Sequence, residues 1–186
     1  MAEAAHRRLT IEDWLAFYDG TDTRYELVEG QLVAMSPTIR RHGSIAQNVG
    51  SVIERAVEDK PPCRAVQQAG LEVVTEHDHR GYIADVIMTC EPDDESRTFE
   101  APRLIVEVLS PTTTGIDRKV KVPDYSLMPT VEEIWLVDSR ERWVVVWSRI
   151  DGTWVGTLPL NDSKTFTSRV LGVEVHLDRL YRNTGL

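Results

Sequence analysis

Two carboxylates stand in segments where a charge is costly. Asp85 lies inside the apolar run 82–88, and Glu107 lies inside the apolar run 104–109. Both runs are apolar on their two alternating faces, as is typical of central strands covered on both sides. Burying an unpaired carboxylate costs several kcal/mol. If the runs pair side by side, the two acids can converge on one divalent cation, and oxygen-only ligands favour magnesium or manganese.

The alternative is that each acid is satisfied separately. An arginine or backbone N–H groups could neutralise it, or it could lie at a strand end in water. Paired charges are the usual way in which proteins bury acids. Either acid alone is therefore ambiguous, and it is their joint occurrence that indicates a site.

A lysine supplies a third element of this chemistry. Asp117, Lys121 and Tyr125 are spaced by four residues, which places them on one stripe of a helix. A lysine beside two carboxylates could position or deprotonate a water molecule. The alternative is a solvated Asp117–Lys121 bridge on the helix surface, with Tyr125 anchoring the helix to the core.

Glu26 and His42 complete the set of candidate site residues. Glu26 lies in a strand-like run, where it could equally face water. His42 follows two arginines at the start of the longest predicted helix, where backbone N–H groups and cationic side chains can meet phosphate. A histidine in this place can also be an ordinary capping or surface residue.

These residues need a sheet to position them, and the patterning predicts one. Apolar spacing and capping signals predict helices near 11–18, 41–59 and 117–127. Strand-like runs occupy 24–30, 31–35, 64–68, 71–76, 82–89, 103–109, 134–138, 143–147, 153–158 and 170–177. The economical interpretation is an α/β fold in one domain over residues 1–186, with a mixed central β-sheet flanked by helices and additional C-terminal β-hairpin strands.

Composition restricts the function classes. The 186 residues carry 30 acidic and 21 basic side chains, a net charge of −9, which disfavours non-specific adhesion to DNA or acidic lipid. No stretch approaches the roughly 20 apolar residues of a membrane span. We expect a cytoplasmic protein without a membrane partner, in which Cys63 and Cys90 are reduced thiols.

With these residues assembled, the chain resembles the restriction-endonuclease family often labelled Uma-two, a branch of the PD-(D/E)XK nuclease superfamily. The resemblance runs nearly end to end. It is carried by 24–30, Met35-Ser-Pro37 with His42, Ala84-Asp85, 104–112, Asp117, Lys121, Tyr125 and 133–138. It implies a restriction-endonuclease-like core in which Asp85 and Glu107 bind the metal and Glu26 and His42 line the same pocket.

Two positions depart from the superfamily pattern. Ala84 replaces the proline before the aspartate, which should alter the entry of the strand more than the chemistry. Leu109 stands where the superfamily has its lysine. Members of this family look as though that lysine has moved to the following helix, where Lys121 matches it.

The resulting hypothesis is a magnesium- or manganese-dependent endonuclease that hydrolyses nucleic-acid phosphodiester bonds. Asp85 and Glu107 would hold the metal, and Lys121 would act on water. In the second rank, His42 would contact phosphate, Glu26 would hold metal-bound water and Tyr125 would orient Lys121. DNA is the expected substrate, and the acidic charge favours a short or single-stranded form.

A protein of another class could use the same fold. A nuclease-fold protein that no longer cuts could serve as a binding or assembly module, including a homodimer formed through Trp143, Trp147 and Trp154. The alternative for these tryptophans is core filling. A small-molecule hydrolase with the same metal is a third class that no sequence feature selects.

Overall fold

A computed structural model describes residues 7–110, 117–161 and 165–186 of the chain. The helices are α1 (Ile11–Ala16), α2 (Arg40–Val57), α3 (Val122–Tyr125) and α4 (Leu177–Leu180), and a π-helical turn, Asp117–Lys121, directly precedes α3. The strands are β1 (Tyr25–Val28), β2 (Gln31–Ala34), β3 (Arg64–Val74), β4 (His79–Thr89), β5 (Pro102–Leu109), β6 (Glu133–Asp138), β7 (Val144–Ile150), β8 (Thr153–Gly156), β9 (Thr165–Ser168) and β10 (Val173–His176).

The strands form an eight-stranded mixed sheet and a separate hairpin. The main order is β2-β1-β4-β5-β6-β7-β8, with β3 paired to β4, and β9 pairs with β10. In the described part of the chain β5 and β6 run parallel, and the other paired strands run antiparallel. This architecture confirms the α/β prediction of a mixed sheet with helices and additional C-terminal hairpin strands.

Both faces of the central strands are buried, as their apolar character predicts. Helix α2 places Ile45, Val49 and Ile53 in a cluster with one face of β5 and β6. The opposite face packs against Tyr125 and residues that follow α3. A charged side chain on β4 or β5 therefore enters a largely dry layer unless it reaches a cavity.

Several local predictions are confirmed. Thr10 and Asp13 form the capping box of α1. Glu29 and Gly30 turn the first hairpin with positive φ angles of 51° and 76°. Positive φ at both central residues is the requirement of the tightest hairpin turns.

Three local predictions need correction. The runs 64–68 and 71–76 belong to one strand, β3, and Gly70 does not interrupt it. A Cβ atom on Gly70 would lie 2.7 Å from the Arg97 carbonyl oxygen, so close approach rather than a turn requires glycine there. The final strand begins at Val173 and pairs with β9, which its sequence pattern did not reveal. The predicted helix 117–127 is divided, with Pro123 in the first turn of α3.

The expectation of two reduced thiols is wrong. Cys63 and Cys90 form a disulfide. Arg64 lies opposite Thr89 at the end of the β3–β4 ladder, so the cysteines just beyond it face each other. The bond joins residues separated by 27 positions.

Reduction of this disulfide should lower the free energy of unfolding by about 3 kcal/mol, because the reduced chain gains conformational freedom when it unfolds. Urea denaturation with and without reductant measures the difference. The double variant Cys63→Ser/Cys90→Ser is the control and should not respond to reductant. Equal stability of the oxidised and reduced wild type would contradict this prediction.

No helix in the described ranges is long and apolar enough to span a membrane.

Candidate active site

The candidate site lies at a fork in the sheet. Strands β1 and β5 both pair with the edge of β4 that faces away from β3: Leu27 of β1 with Gly81, and Val106 of β5 with Val86. Between these two contacts the β4 edge has no strand partner in the described ladder. Carboxylates take the place of the missing backbone partners there, as the following contacts show.

Asp85 lies inside this fork and has polar partners on both carboxylate oxygens. Its Oδ2 atom accepts a hydrogen bond of 2.8 Å from the Val108 amide and lies 3.1 Å from the His42 Nε2 atom. Its Oδ1 atom accepts a bond of 3.2 Å from the Gln68 side chain. The predicted proximity of His42 and Asp85 is therefore present, with α2 carrying the imidazole to the carboxylate.

Glu107 is buried beside the lysine and the tyrosine of the predicted stripe. The Tyr125 hydroxyl donates a hydrogen bond of 2.6 Å to Glu107 Oε1, and the Lys121 Nζ atom lies 3.5 Å from the same oxygen. The side chain of Asp117, the first residue of the stripe, lies outside the described residues. Lys121 thus faces the buried acids Glu26 and Glu107 and not an exposed helix surface.

Glu26 joins the same charged cluster and does not face water. The Lys121 Nζ atom lies 2.8 Å from Glu26 Oε1, and the Ile83 amide donates a hydrogen bond of 3.0 Å to that oxygen. Lys121 is only 5% exposed, so its charge is compensated inside the protein. The ring of Tyr82 lies below this ammonium, with 5.7 Å from Nζ to the ring centroid.

These side chains open into one cavity of about 180 Å³. Its polar lining includes Glu26, His42, Asp85, Glu107, Lys121 and the serine and threonine residues Ser36, Thr38 and Ser110. The structure therefore brings together, around one cavity, five of the six residues that the sequence singled out, and Tyr125 supports Glu107 from the buried side.

The direction of Asp85 differs from the expected strand alternation. Strict alternation places Asp85 on the face of Ile87, but Ile87 shares its cluster with Ala84. Val86 packs in the opposite cluster. The alternation therefore shifts by one residue at Asp85, which turns this carboxylate out of the core and towards the cavity.

Glu133 is a buried acid that the sequence reading did not single out. Its carboxylate accepts hydrogen bonds from Trp135 Nε1, the Ser168 hydroxyl and the Arg169 amide. These neutral donors fix the β9–β10 hairpin to β6. For Asp85 and Glu107 the alternative to a metal site was separate satisfaction by hydrogen-bond donors. Glu133 is satisfied in this way, and it does not line the cavity.

A buried ion-pair cluster holds the helix that carries the lysine and tyrosine. Asp124 in α3 accepts a hydrogen bond of 2.7 Å from Arg80 and a second bond from the Tyr82 hydroxyl. Burial, together with the bond to Asp124, raises the pKa of Tyr82. Burial alone would lower the pKa of Arg80, but its bonds to Tyr82 and Asp124 outweigh that effect and raise it. The cluster therefore consists of the Asp124 carboxylate held by the Arg80 guanidinium and the Tyr82 hydroxyl.

Replacing Asp124 by asparagine should cost about 1–3 kcal/mol of stability, because the guanidinium of Arg80 loses its buried counter-charge. Urea denaturation gives the free energy of unfolding. Asp178→Asn is the matched control, since its partner Arg142 forms an exposed pair and the expected change is below about 1 kcal/mol. Equal losses in the two variants would show that the cluster does not stabilise α3.

The donor set suits a hard divalent cation. Asp85 and Glu107 line the same cavity, and carboxylate oxygens are the protein ligands that magnesium and manganese prefer. Within the described residues no three His, Cys, Asp or Glu side chains cluster closely enough to enclose a metal by themselves. Magnesium commonly uses one or two carboxylates and completes its shell with water and substrate phosphate, so this pair fits it.

Comparison with known proteins gives the context of this site. A family model, Uma2, described as "Putative restriction endonuclease", matches residues 11–179. The uncharacterized protein slr1290 of Synechocystis sp. is 26% identical over 178 residues, which cover 94% of this chain and 92% of that protein. A second protein of that organism, sll1609, is 22% identical over 74% of this chain and 79% of its own length.

A solved structure shares the fold. The crystal structure of a "putative nuclease belonging to DUF820" from Anabaena variabilis superposes with a TM-score of 0.73. The match covers 93% of this chain and 97% of that one at 18% identity. This likeness confirms the restriction-endonuclease-like fold class that the sequence predicted.

Proposed function

Because the chain belongs to the Uma2 restriction-endonuclease family, we propose that it is a metal-dependent endonuclease that hydrolyses phosphodiester bonds in nucleic acid. The observation that supports this most strongly is the position of Lys121. The sequence has Leu109 where the wider superfamily has lysine, yet the Lys121 ammonium lies 3.5 Å from the Glu107 carboxylate. A base or electrostatic catalyst must lie within such reach of the reacting groups.

The residues divide the chemistry between them. Asp85 and Glu107 would hold magnesium or manganese, which when bound lowers the pKa of water and stabilises charge on phosphate oxygens. The Lys121 ammonium positions the attacking water and stabilises the pentavalent state. Tyr125 fixes the Glu107 carboxylate by donating its hydroxyl proton in a hydrogen bond.

Glu26 and His42 act beside these groups. Glu26 holds the Lys121 ammonium at 2.8 Å and is a candidate to bind water of the metal shell. His42 donates from Nε2 to Asp85 or, once that bond opens, contacts a substrate phosphate. Either role places a hydrogen-bond donor on the wall of the cavity that α2 contributes.

The substrate that fits best is a single strand of DNA. A net charge of −9 disfavours the many cationic contacts that a long duplex requires. A single strand can enter a narrow cavity with few phosphate contacts.

The cytoplasmic location and the homodimer stay predictions. The tryptophans give less support to the assembly alternative, because Trp147 and Trp154 pack against the apolar cluster that contains Tyr125.

The test is a cleavage assay with metal removal. Purified protein is incubated with single-stranded DNA, duplex DNA and RNA of one sequence in magnesium or manganese. We expect cleavage of single-stranded DNA, its loss in chelator and its return on addition of excess metal. Cleavage that persists in chelator would contradict the metal-dependent mechanism, and no cleavage of any substrate would contradict the proposed activity.

A further inference from the structure

The β3–β4 ladder is interrupted exactly beside the candidate metal site. Gln67 pairs with Val86 and Ala69 pairs with Ala84, but the intervening pair, Gln68 and Asp85, is missing from the ladder. Gln68 has a φ of 52°, in the left-handed region. A residue with a Cβ atom is unfavourable there by roughly 1 kcal/mol, and such strain clusters at functional sites. The surrounding structure therefore imposes this conformation on Gln68.

The conformation turns the Gln68 amide into a link between two charged groups. Its Nε2 atom donates to Asp85 Oδ1 at 3.2 Å, and its Oε1 atom accepts from the Arg24 guanidinium at 3.1 Å. Each end of the amide thus has a partner of the correct polarity. Glycine would adopt this backbone conformation without strain, but it could not form the link.

A groove continues from the cavity over Asp85 to Arg24. It is lined by Arg24, Gln68, Asp85 and the segment 35–38, and it shares Met35, Ser36 and Thr38 with the cavity. Arg24 is exposed, and no carboxylate of the described residues forms an ion pair with it. Asp22 also lines the groove and opposes an anion there.

Arginine presents its donors in a planar fork that matches phosphate oxygens, and hydroxyl groups add neutral donors. The groove therefore presents one guanidinium and several hydroxyl donors next to the proposed metal-binding acid Asp85. Consecutive phosphates of a nucleic-acid strand are the ligand that suits a metal-binding acid at one end and an arginine at the other.

We infer that this groove binds the phosphate next to the one that is cleaved, with Arg24 as its cationic contact and Gln68 as the residue that positions Arg24 relative to Asp85. The inference rests on the proposed function. It predicts that Arg24 contributes to strand binding and its salt dependence, whereas Lys121 contributes to the chemical step. Gln68 contributes to strand binding through its hydrogen bonds to Arg24 and Asp85.

The test measures binding and cleavage separately. Fluorescence anisotropy with a labelled single-stranded oligonucleotide in calcium gives Kd at several salt concentrations, and cleavage in magnesium gives kcat and KM. Arg24→Gln should raise Kd about tenfold and lower the magnitude of the salt slope by about 0.7, the contribution of one phosphate contact in a single strand. Its kcat should stay near that of the wild type.

Three variants sharpen the result. Arg169→Gln, which removes an exposed arginine in the turn between β9 and β10, is the matched control and should leave the salt slope unchanged. Asp22→Asn should lower Kd about threefold, because it removes a like charge from the groove. Gln68→Gly should weaken binding as Arg24→Gln does while the free energy of unfolding is kept or raised, since glycine relieves the positive φ.

The outcomes separate this inference from the proposed function. If the wild type cuts and Arg24→Gln matches Arg169→Gln in Kd and salt slope, the phosphate subsite is wrong and the nuclease proposal stands. If the wild type binds the strand without cutting and Arg24→Gln weakens that binding, the phosphate contact of Arg24 stands, but hydrolysis and the position of that phosphate next to a cleaved bond are wrong. If the wild type binds no strand, the phosphate subsite and the nuclease proposal are both wrong. If Gln68→Gly binds the strand with the Kd of the wild type, the proposed role of Gln68 is wrong.

Discussion

Replacing Glu107 by glutamine abolishes cleavage in our account, with an expected loss of at least roughly a thousandfold in kcat, the scale of removing a central catalytic group. The side chain is 3% exposed and lines the cavity beside Asp85. Glutamine keeps the volume and one oxygen that can accept the hydrogen bond from Tyr125. It removes the negative charge that a divalent cation requires. Cleavage kinetics in magnesium measure the effect.

The control for Glu107→Gln is the folded state and metal binding of the same variant. Lys121 keeps its counter-charge on Glu26 at 2.8 Å, so the ammonium is not left buried without a carboxylate. Circular dichroism should therefore show the wild-type fold, while calorimetric titration with magnesium or manganese should show weakened binding. A folded variant that cuts at the wild-type rate would refute the role of Glu107.

Replacing Lys121 by methionine is expected to lower kcat about 10²- to 10³-fold, the usual effect of removing one electrostatic contact to the transition state. Methionine is similar in length and fits between Tyr82 and the acids. Affinity for an uncut oligonucleotide should change much less than kcat, because the ammonium is buried and already paired with Glu26 and Glu107. Single-turnover cleavage and anisotropy binding separate the two quantities.

The difficulty with Lys121→Met is stability, since Glu26 and Glu107 lose a buried cation. Breaking a buried ion pair can cost 3–5 kcal/mol. The double variant Lys121→Met/Glu26→Gln removes one of the stranded charges and should recover part of that loss. If Lys121 acts in catalysis, the double variant stays slow although its stability rises. Recovery of kcat together with stability would show that Lys121 serves only the fold.

Local and repetitive signals made most of the fold predictable. The capping box of α1, the apolar periodicity of α2 and the Glu29-Gly30 turn each depend on a few neighbouring residues. Strand β9 escaped prediction because its position depends on Glu133, a distant residue whose carboxylate binds the Ser168 hydroxyl and the Arg169 amide. A long-range contact of this kind leaves no periodic trace in a short strand.

In the site, too, residues with a local sequence signal were predictable and residues whose role depends on distant contacts were not. Asp85 and Glu107 were conspicuous because a charge is costly in an apolar run. Lys121 was indicated first by its spacing with Asp117 and Tyr125 and then by the resemblance to the Uma-two family. Gln68 carried no such signal, since its role depends on a left-handed φ and on the strand opposite. Asp124 was equally hidden, because an acid in a short helix reads as exposed until Arg80 and Tyr82 are placed beside it.

The most direct test of the central claim compares wild type and Glu107→Gln, purified in parallel, on single-stranded DNA in magnesium. We expect cleavage by the wild type that chelator stops, and no cleavage by the variant under any condition. Equal activity in the two preparations would point to a contaminating nuclease and contradict the assignment of this site. Inactivity of both on single-stranded DNA, duplex DNA and RNA would contradict nucleic-acid hydrolysis by this protein.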